Sequence, residues 1–107
     1  MSHPNGWIYK RFKIEDDLMQ TIDNLADTRG EQKADIIAET VEWLVKNRTE
    51  GTVSPRYFSS PDNATYKGVW LKPDTIRTIK MLSSADNQNP NRVIYTAICR
   101  FIDKDKS

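Results

Sequence analysis

Few side chains in this chain have types and spacings suited to chemistry. There is one histidine, His3, and one cysteine, Cys99. A lone imidazole near the N-terminus has no second histidine with which to hold a metal. A lone thiol on an apolar helical stretch is by default a small buried group. The acid pair Asp16-Asp17 is better explained as a helix start than as an acid–base couple. Neither a glycine-rich phosphate loop nor metal-ligand spacing occurs. No active site, cofactor or metal is therefore expected, and the chain does not read as an enzyme. What remains is a donor-rich alternating stretch, Tyr9-Lys10-Arg11-Phe12-Lys13-Ile14. A period of two puts Lys10, Phe12 and Ile14 on one face and Tyr9, Arg11 and Lys13 on the other.

The elements that hold this stretch must fit in 107 residues, enough for one compact domain and too few for two independent cores. A mean hydropathy of −0.69 and interspersed charge argue for a soluble protein, without membrane contact. No apolar run approaches the roughly 20 residues needed to span a bilayer. The first residues lack the layout of a signal peptide. One cysteine gives neither an intrachain disulfide nor a zinc cluster, so a reducing, cytoplasmic location is expected. The net charge of +1 warns against nucleic-acid binding on composition alone. Its distribution softens the warning: residues 1–46 carry six basic and nine acidic side chains, and residues 47–107 carry ten and six.

The chain reads twice. At an offset of 57, residues 9–46 align without a gap on 66–103, with seven identities in 38 pairs; about two would be expected by chance. Tyr9/Tyr66, Lys10/Lys67, Asp17/Asp74, Thr21/Thr78, Ile22/Ile79, Leu25/Leu82 and Ile37/Ile94 are identical. Phe12/Val69, Ile14/Leu71, Val41/Ile98 and Leu44/Phe101 stay apolar. The organisation expected is repeat one 9–46, a linker 47–65 and repeat two 66–103.

Each repeat predicts a strand and two helices. In the second strand Val69 and Leu71 face inward, and Tyr66, Gly68 and Trp70 outward. The first helix starts near Asp16-Asp17, with Leu18, Ile22 and Leu25 on one side. Its copy starts at Pro73, with Ile76, Ile79 and Leu82. Gly30 is the expected C-terminal cap, and Asn87 stands at the same repeat position. The second helices carry the stripes Ile37, Val41, Leu44, Val45 and Ile94, Ile98, Phe101, Ile102, with Pro90 opening the latter. Gly51, Pro55, Pro61 and Asn63 mark the linker, which reaches up to roughly 60 Å; Tyr57 and Phe58 suggest that it packs on the domain. Neither strand is stable alone. Two units together can pair their strands and interlock four helices.

At this point the chain resembles the ribbon–helix–helix (Arc/MetJ-type) DNA-binding family. The resemblance is carried by Arg11-Phe12-Lys13-Ile14, Asp17-Leu18, Ile22, Leu25-Ala26, Gly30 and Ile37…Thr40-Val41…Leu44, and with less fidelity by 66–103. The fold class it implies is mainly α with a two-stranded antiparallel β-ribbon. The two tandem units would form one intramolecular pseudodimer, similar in plan to a tandem conjugation accessory protein of the family. The implied partner is duplex DNA, with the ribbon in the major groove and Tyr9, Arg11, Lys13, Tyr66, Gly68 and Trp70 at base edges. Arg11 can bond a guanine edge in bidentate fashion, and Lys13 can donate to guanine or phosphate. The resemblance also implies phosphate anchoring at the starts of the second helices, by Gln32, Lys33 and Ala34 and by Asn89, Asn91 and Arg92. Asn89 equally suits simple N-capping.

The second strand departs from the pattern. Gly68 offers no side chain, and Trp70 can meet a thymine methyl, the linker or a protein partner. The DNA site expected is therefore non-palindromic, with further copies or partners adding to specificity. The role implied is a transcriptional regulator or nucleoprotein accessory factor, nucleoid-associated, in a phage, plasmid or similar element. The rival is a protein-binding inhibitor or antitoxin-like module that reuses the fold. Trp70, the acidic first half, the low net charge and, faintly, Trp43 favour it.

Overall fold

The strands and helices fall where the two alternating stretches and the apolar stripes predict. The computed structural model describes residues 6–49, 51 and 57–104. His3 and Pro55, singled out above, lie outside the described residues. The element order is β1 (Ile8–Ile14), α1 (Asp16–Arg29), α2 (Lys33–Thr49), β2 (Thr65–Leu71), α3 (Pro73–Asp86) and α4 (Pro90–Asp103). The molecule is mainly helical, and β1 and β2 pair antiparallel as a two-stranded sheet.

The register places Arg11 opposite Gly68, with Tyr9 opposite Trp70 and Lys13 opposite Tyr66. In both strands the alternation puts the fifth and seventh residues inside: Phe12 and Ile14, Val69 and Leu71. These four close the top of a core built from the helices below. α4 packs on α2, α3 and β1, and α2 packs on α1, α3, α4 and β2.

Helix ends follow from local residue types. Asp16 and Asp17 in the first turn of α1, and Asp74 in that of α3, lie at the positive ends of the helix dipoles. Pro73 and Pro90 occupy first helical positions, where a missing N–H costs no hydrogen bond. α1 and α3 end in the left-handed conformation at Gly30 (φ 65°) and Asn87 (φ 53°). The next N–H groups, of Glu31 and Gln88, return to the Ala26 and Ser83 carbonyls at 2.9 Å. That is the Schellman closure, and asparagine is the side chain that best tolerates it after glycine.

The buried stripes differ from the reading by periodicity: in α3 Thr75 is buried and Ile76 half-buried, and in α2 Ala34, Ile36 and Thr40 are buried and Val45 half-buried. In α1 the buried row is Met19, Ile22 and Ala26, while Leu18 and Leu25 are half-buried at its margin. The 3- and 4-residue spacing holds, but the helix is rolled by one position towards Met19. In α4, Ile94, Ile98 and Phe101 are buried as expected, and so are Val93, Tyr95, Thr96 and Ala97. The second covered side faces the linker and the β1–α1 corner. The Phe58 N–H donates to Thr96 Oγ1 at 2.8 Å, and the Arg100 guanidinium lies 5.0 Å from the Phe58 ring centre. The Tyr95 hydroxyl donates to Glu15 Oε1 at 2.6 Å. Tyr57 reaches Asp86, which also pairs with Arg48. The linker is thus tied to the helices along its described part. Among the described residues, no helix is long and apolar enough to cross a membrane.

Candidate nucleic-acid interface

The pleat that buries Phe12, Ile14, Val69 and Leu71 turns Tyr9, Arg11, Lys13, Tyr66, Gly68 and Trp70 to the opposite face of the ribbon. Tyr9 and Tyr66 are more than half exposed, at 53% and 59%. Their surroundings differ. The Arg11 guanidinium stands 5.5 Å from the centre of the Tyr66 ring, a cation–π pair on the cross-strand diagonal. Tyr9 meets the edge of Trp70, with ring centres 5.2 Å apart and planes at 64°. It also lies across Gly68: a Cβ there would overlap the Tyr9 hydroxyl and ring. The missing side chain at Gly68 is therefore the space that Tyr9 occupies.

Lys67 belongs to the other face and is held there. Its ammonium donates to Asp16 Oδ1 at 2.6 Å and to Thr65 Oγ1 at 3.0 Å. The same contact keeps the Asp16 carboxyl below the usual carboxylate range.

An open groove of about 500 Å³ runs from one end of the ribbon to the start of α4. Lys13 and Tyr66 line it from the strands, Asn89, Asn91 and Arg92 from the helix start, and Ser59 and Ser60 from the linker. Asn89 is the N-cap, its side chain accepting from the Asn91 N–H at 2.8 Å. It thus performs the capping role weighed above while also bordering the groove. Arg92 is exposed. Ser60 donates to the Lys13 carbonyl at 2.7 Å and so fixes the linker against β1. Three of the six phosphate-site residues expected from the sequence thus share one groove with two of the strand residues.

The other three are placed differently. Gln32, Lys33 and Ala34 line a smaller groove of about 300 Å³ with Trp7, Gly68, Val69 and Trp70. Here the protein supplies its own anion. The Gln32 N–H donates to Asp35 Oδ2 at 3.1 Å, and the Lys72 ammonium sits 2.5 Å from the other Asp35 oxygen. Lys72, and then the Gln32 N–H, hold the Asp35 carboxyl below its ordinary value, so it stays ionised at the positive end of α2. Lys33 pairs with Asp23 at 3.3 Å, and Ala34 is buried. Asp35 and Arg92 occupy the same repeat position, so the two second-helix starts carry opposite charge.

Sequence reasoning passed over several of these residues. Asp35 stands three residues after Gln32, the spacing of a capping box, and that signal was present. Trp7 continues the odd-numbered outer row of β1 by the period of two. Ser59 and Ser60 carried no signal, because only the path of the linker brings them to Lys13. Trp43 is half-buried, edge-on to Phe101 at 6.4 Å and 85°. Comparison with protein-family models, with curated proteins and with solved structures finds no match to the chain.

Proposed function

We propose that the protein binds duplex DNA through the outer face of its ribbon, as a regulator or an accessory factor in a nucleoprotein complex. The observation that carries this reading is the groove in which Lys13 and Tyr66 adjoin Asn89, Asn91 and Arg92 at the start of α4. A two-stranded ribbon matches the width of the major groove, and the Asn91 and Arg92 side chains at the helix start beside it suit a phosphate. The ribbon presents donors for base edges, and the α4 start presents donors for the backbone.

The fold reading behind it is a ribbon–helix–helix pair within one chain. It is supported by the strand pairing, which is symmetric under the offset of 57 and centred on Arg11 and Gly68. Identical burial along β1 and β2 supports it too, as do left-handed caps at equivalent positions.

The low net charge fits as well. Asp16, Asp35 and Asp86 are bound to Lys67, Lys72 and Arg48, away from the outer ribbon face. Arg11 and Lys13 lie on that face.

The test is binding to random-sequence duplexes at two salt concentrations, with an Arg11→Ala/Lys13→Ala variant alongside. Counterion release predicts a steep loss with added salt and a shallower slope for the variant. A double variant that binds as tightly as the parent would remove the ribbon from the interface. A second reading has its own observation: Trp7, Tyr9 and Trp70 are gathered at the other end of the ribbon, where α2 is closed to anions. Aromatic residues of this kind anchor protein partners. Binding of that kind would depend far less on salt.

A further inference from the structure

Arg11 and Gly68 face each other at the middle of seven ribbon pairs, and they are also repeat equivalents. Whatever stands at this position stands at the centre of the ribbon. In a ribbon with identical strands it would stand there twice, once for each strand of a bound duplex. Here it stands once. Opposite Arg11 there is bare backbone, and Tyr9 lies across it with Trp70 against its ring. The equivalent tyrosine, Tyr66, instead has the Arg11 guanidinium over its face. Two identical tyrosines thus have different neighbours, because Gly68 stands where Arg11 does on the diagonal and Trp70 stands where Lys13 does directly opposite.

Resting on the duplex reading, we infer that Gly68 is a specificity-determining residue that restricts central base recognition to one DNA strand. Arg11 provides a single planar fork of donors, held in place by Tyr66. Guanine offers both acceptors, O6 and N7, on its own side of the pair. One guanidinium at the centre therefore distinguishes G·C from C·G, and thereby orients the protein on its site. Two symmetry-related arginines would accept either orientation. The Tyr9 ring and hydroxyl fill the place from which a second guanidinium fork would reach the other strand. The chemistry implied is a duplex with one guanine at the centre of the contacted segment, on a fixed strand.

The experiment starts from duplexes selected by the full chain out of a randomised pool. All four base pairs are then placed at each position of the best duplex, and binding is measured for the parent, Arg11→Ala and Gly68→Arg, with circular dichroism to confirm folding. The parent is expected to lose about tenfold or more when one central G·C pair is reversed to C·G. Arg11→Ala should erase that preference, and Gly68→Arg should bind both orientations within about twofold. Arg11 is exposed, so its variant tests the inference even if Gly68→Arg fails to fold. Selected duplexes whose preferences survive Arg11→Ala at every position would overturn the inference and leave the duplex reading standing. So would a folded Gly68→Arg that keeps the parent's full bias. A pool from which no duplex is enriched would overturn the duplex reading and this inference with it.

Discussion

The Asp86 carboxylate accepts from Arg48 Nε at 3.0 Å and from Arg48 Nη2 at 2.6 Å, clamping the last turn of α2 to the last turn of α3. Tyr57 adds a third donor at 2.5 Å, so one acid fastens two helices and the linker. Arg48 above all, and Tyr57 with it, hold the Asp86 carboxyl below its ordinary value. A carboxyl depressed in the folded state contributes stability above its unfolded pKa, about 3.9. That contribution is lost as pH falls through the folded value. Asp86→Asn should therefore lower the Tm at neutral pH and flatten the acid limb between about pH 5 and pH 2. Thermal melts across that range check both effects.

On the proposed duplex reading, the unequal helix starts predict unequal effects on DNA binding. Arg92→Ala should weaken binding about equally on all sequences and reduce the log–log salt slope by about 1. Asp35→Ser should act in the opposite sense, because it removes the carboxylate that fills the α2 start and frees the Gln32 N–H for a phosphate. Anisotropy titrations at several salt concentrations measure both. A tighter-binding Arg92→Ala would exclude the α4 start from the interface.

The left-handed caps make a paired prediction about stability. Gly30→Ala places a Cβ at φ 65° and should cost about 1–2 kcal/mol. Asn87→Gly keeps the conformation that the chain already adopts and should change stability by less than about 0.5 kcal/mol. Urea unfolding of the two variants gives the comparison.

Ile37 and Ile94 are repeat equivalents, and both are fully buried. Replacing either by alanine should cost about 2–5 kcal/mol, because packing around a buried branched side chain relaxes only in part. Ile102→Ala, at the half-buried margin, should cost less. Denaturant midpoints at constant slope would show it.

Burial pushes the Cys99 thiol up to about 11. Thiolate is the reactive form, so alkylation at pH 8 should be at least about tenfold slower in the folded protein than in urea. Mass spectrometry of timed samples reads the difference.

Much of this arrangement was legible in the residues. The offset of 57 located both strands and four helices, because apolar spacing is the primary signal of each element. Pro73, Pro90, Gly30 and Asn87 marked ends through backbone chemistry that is local to them. The alternation in 9–14 and 66–71 separated the inner and outer faces of the ribbon. What could not be read depended on long-range placement. Tyr95 and Thr96 look like outer positions of α4 until Glu15 and Phe58 close over them. Gly68 looked like a lost reader, and only the cross-strand path of the Tyr9 ring gives it a purpose. Asp35 could have been recognised as a cap; its partner Lys72, from the other repeat, could not.

β1 begins at Ile8, yet its hydrogen-bonding partner runs from Thr65 to Leu71, and the helix packed against it, α4, ends at Asp103. During synthesis the first strand therefore leaves the ribosome long before anything exists to pair with it. The face of α2 that packs on α3 and α4 has no partner until those helices follow. A chain interrupted after the first repeat would carry Arg11 and Lys13 but no ribbon to present them. On the duplex reading proposed above, competence to bind is thus acquired only when α4 is released.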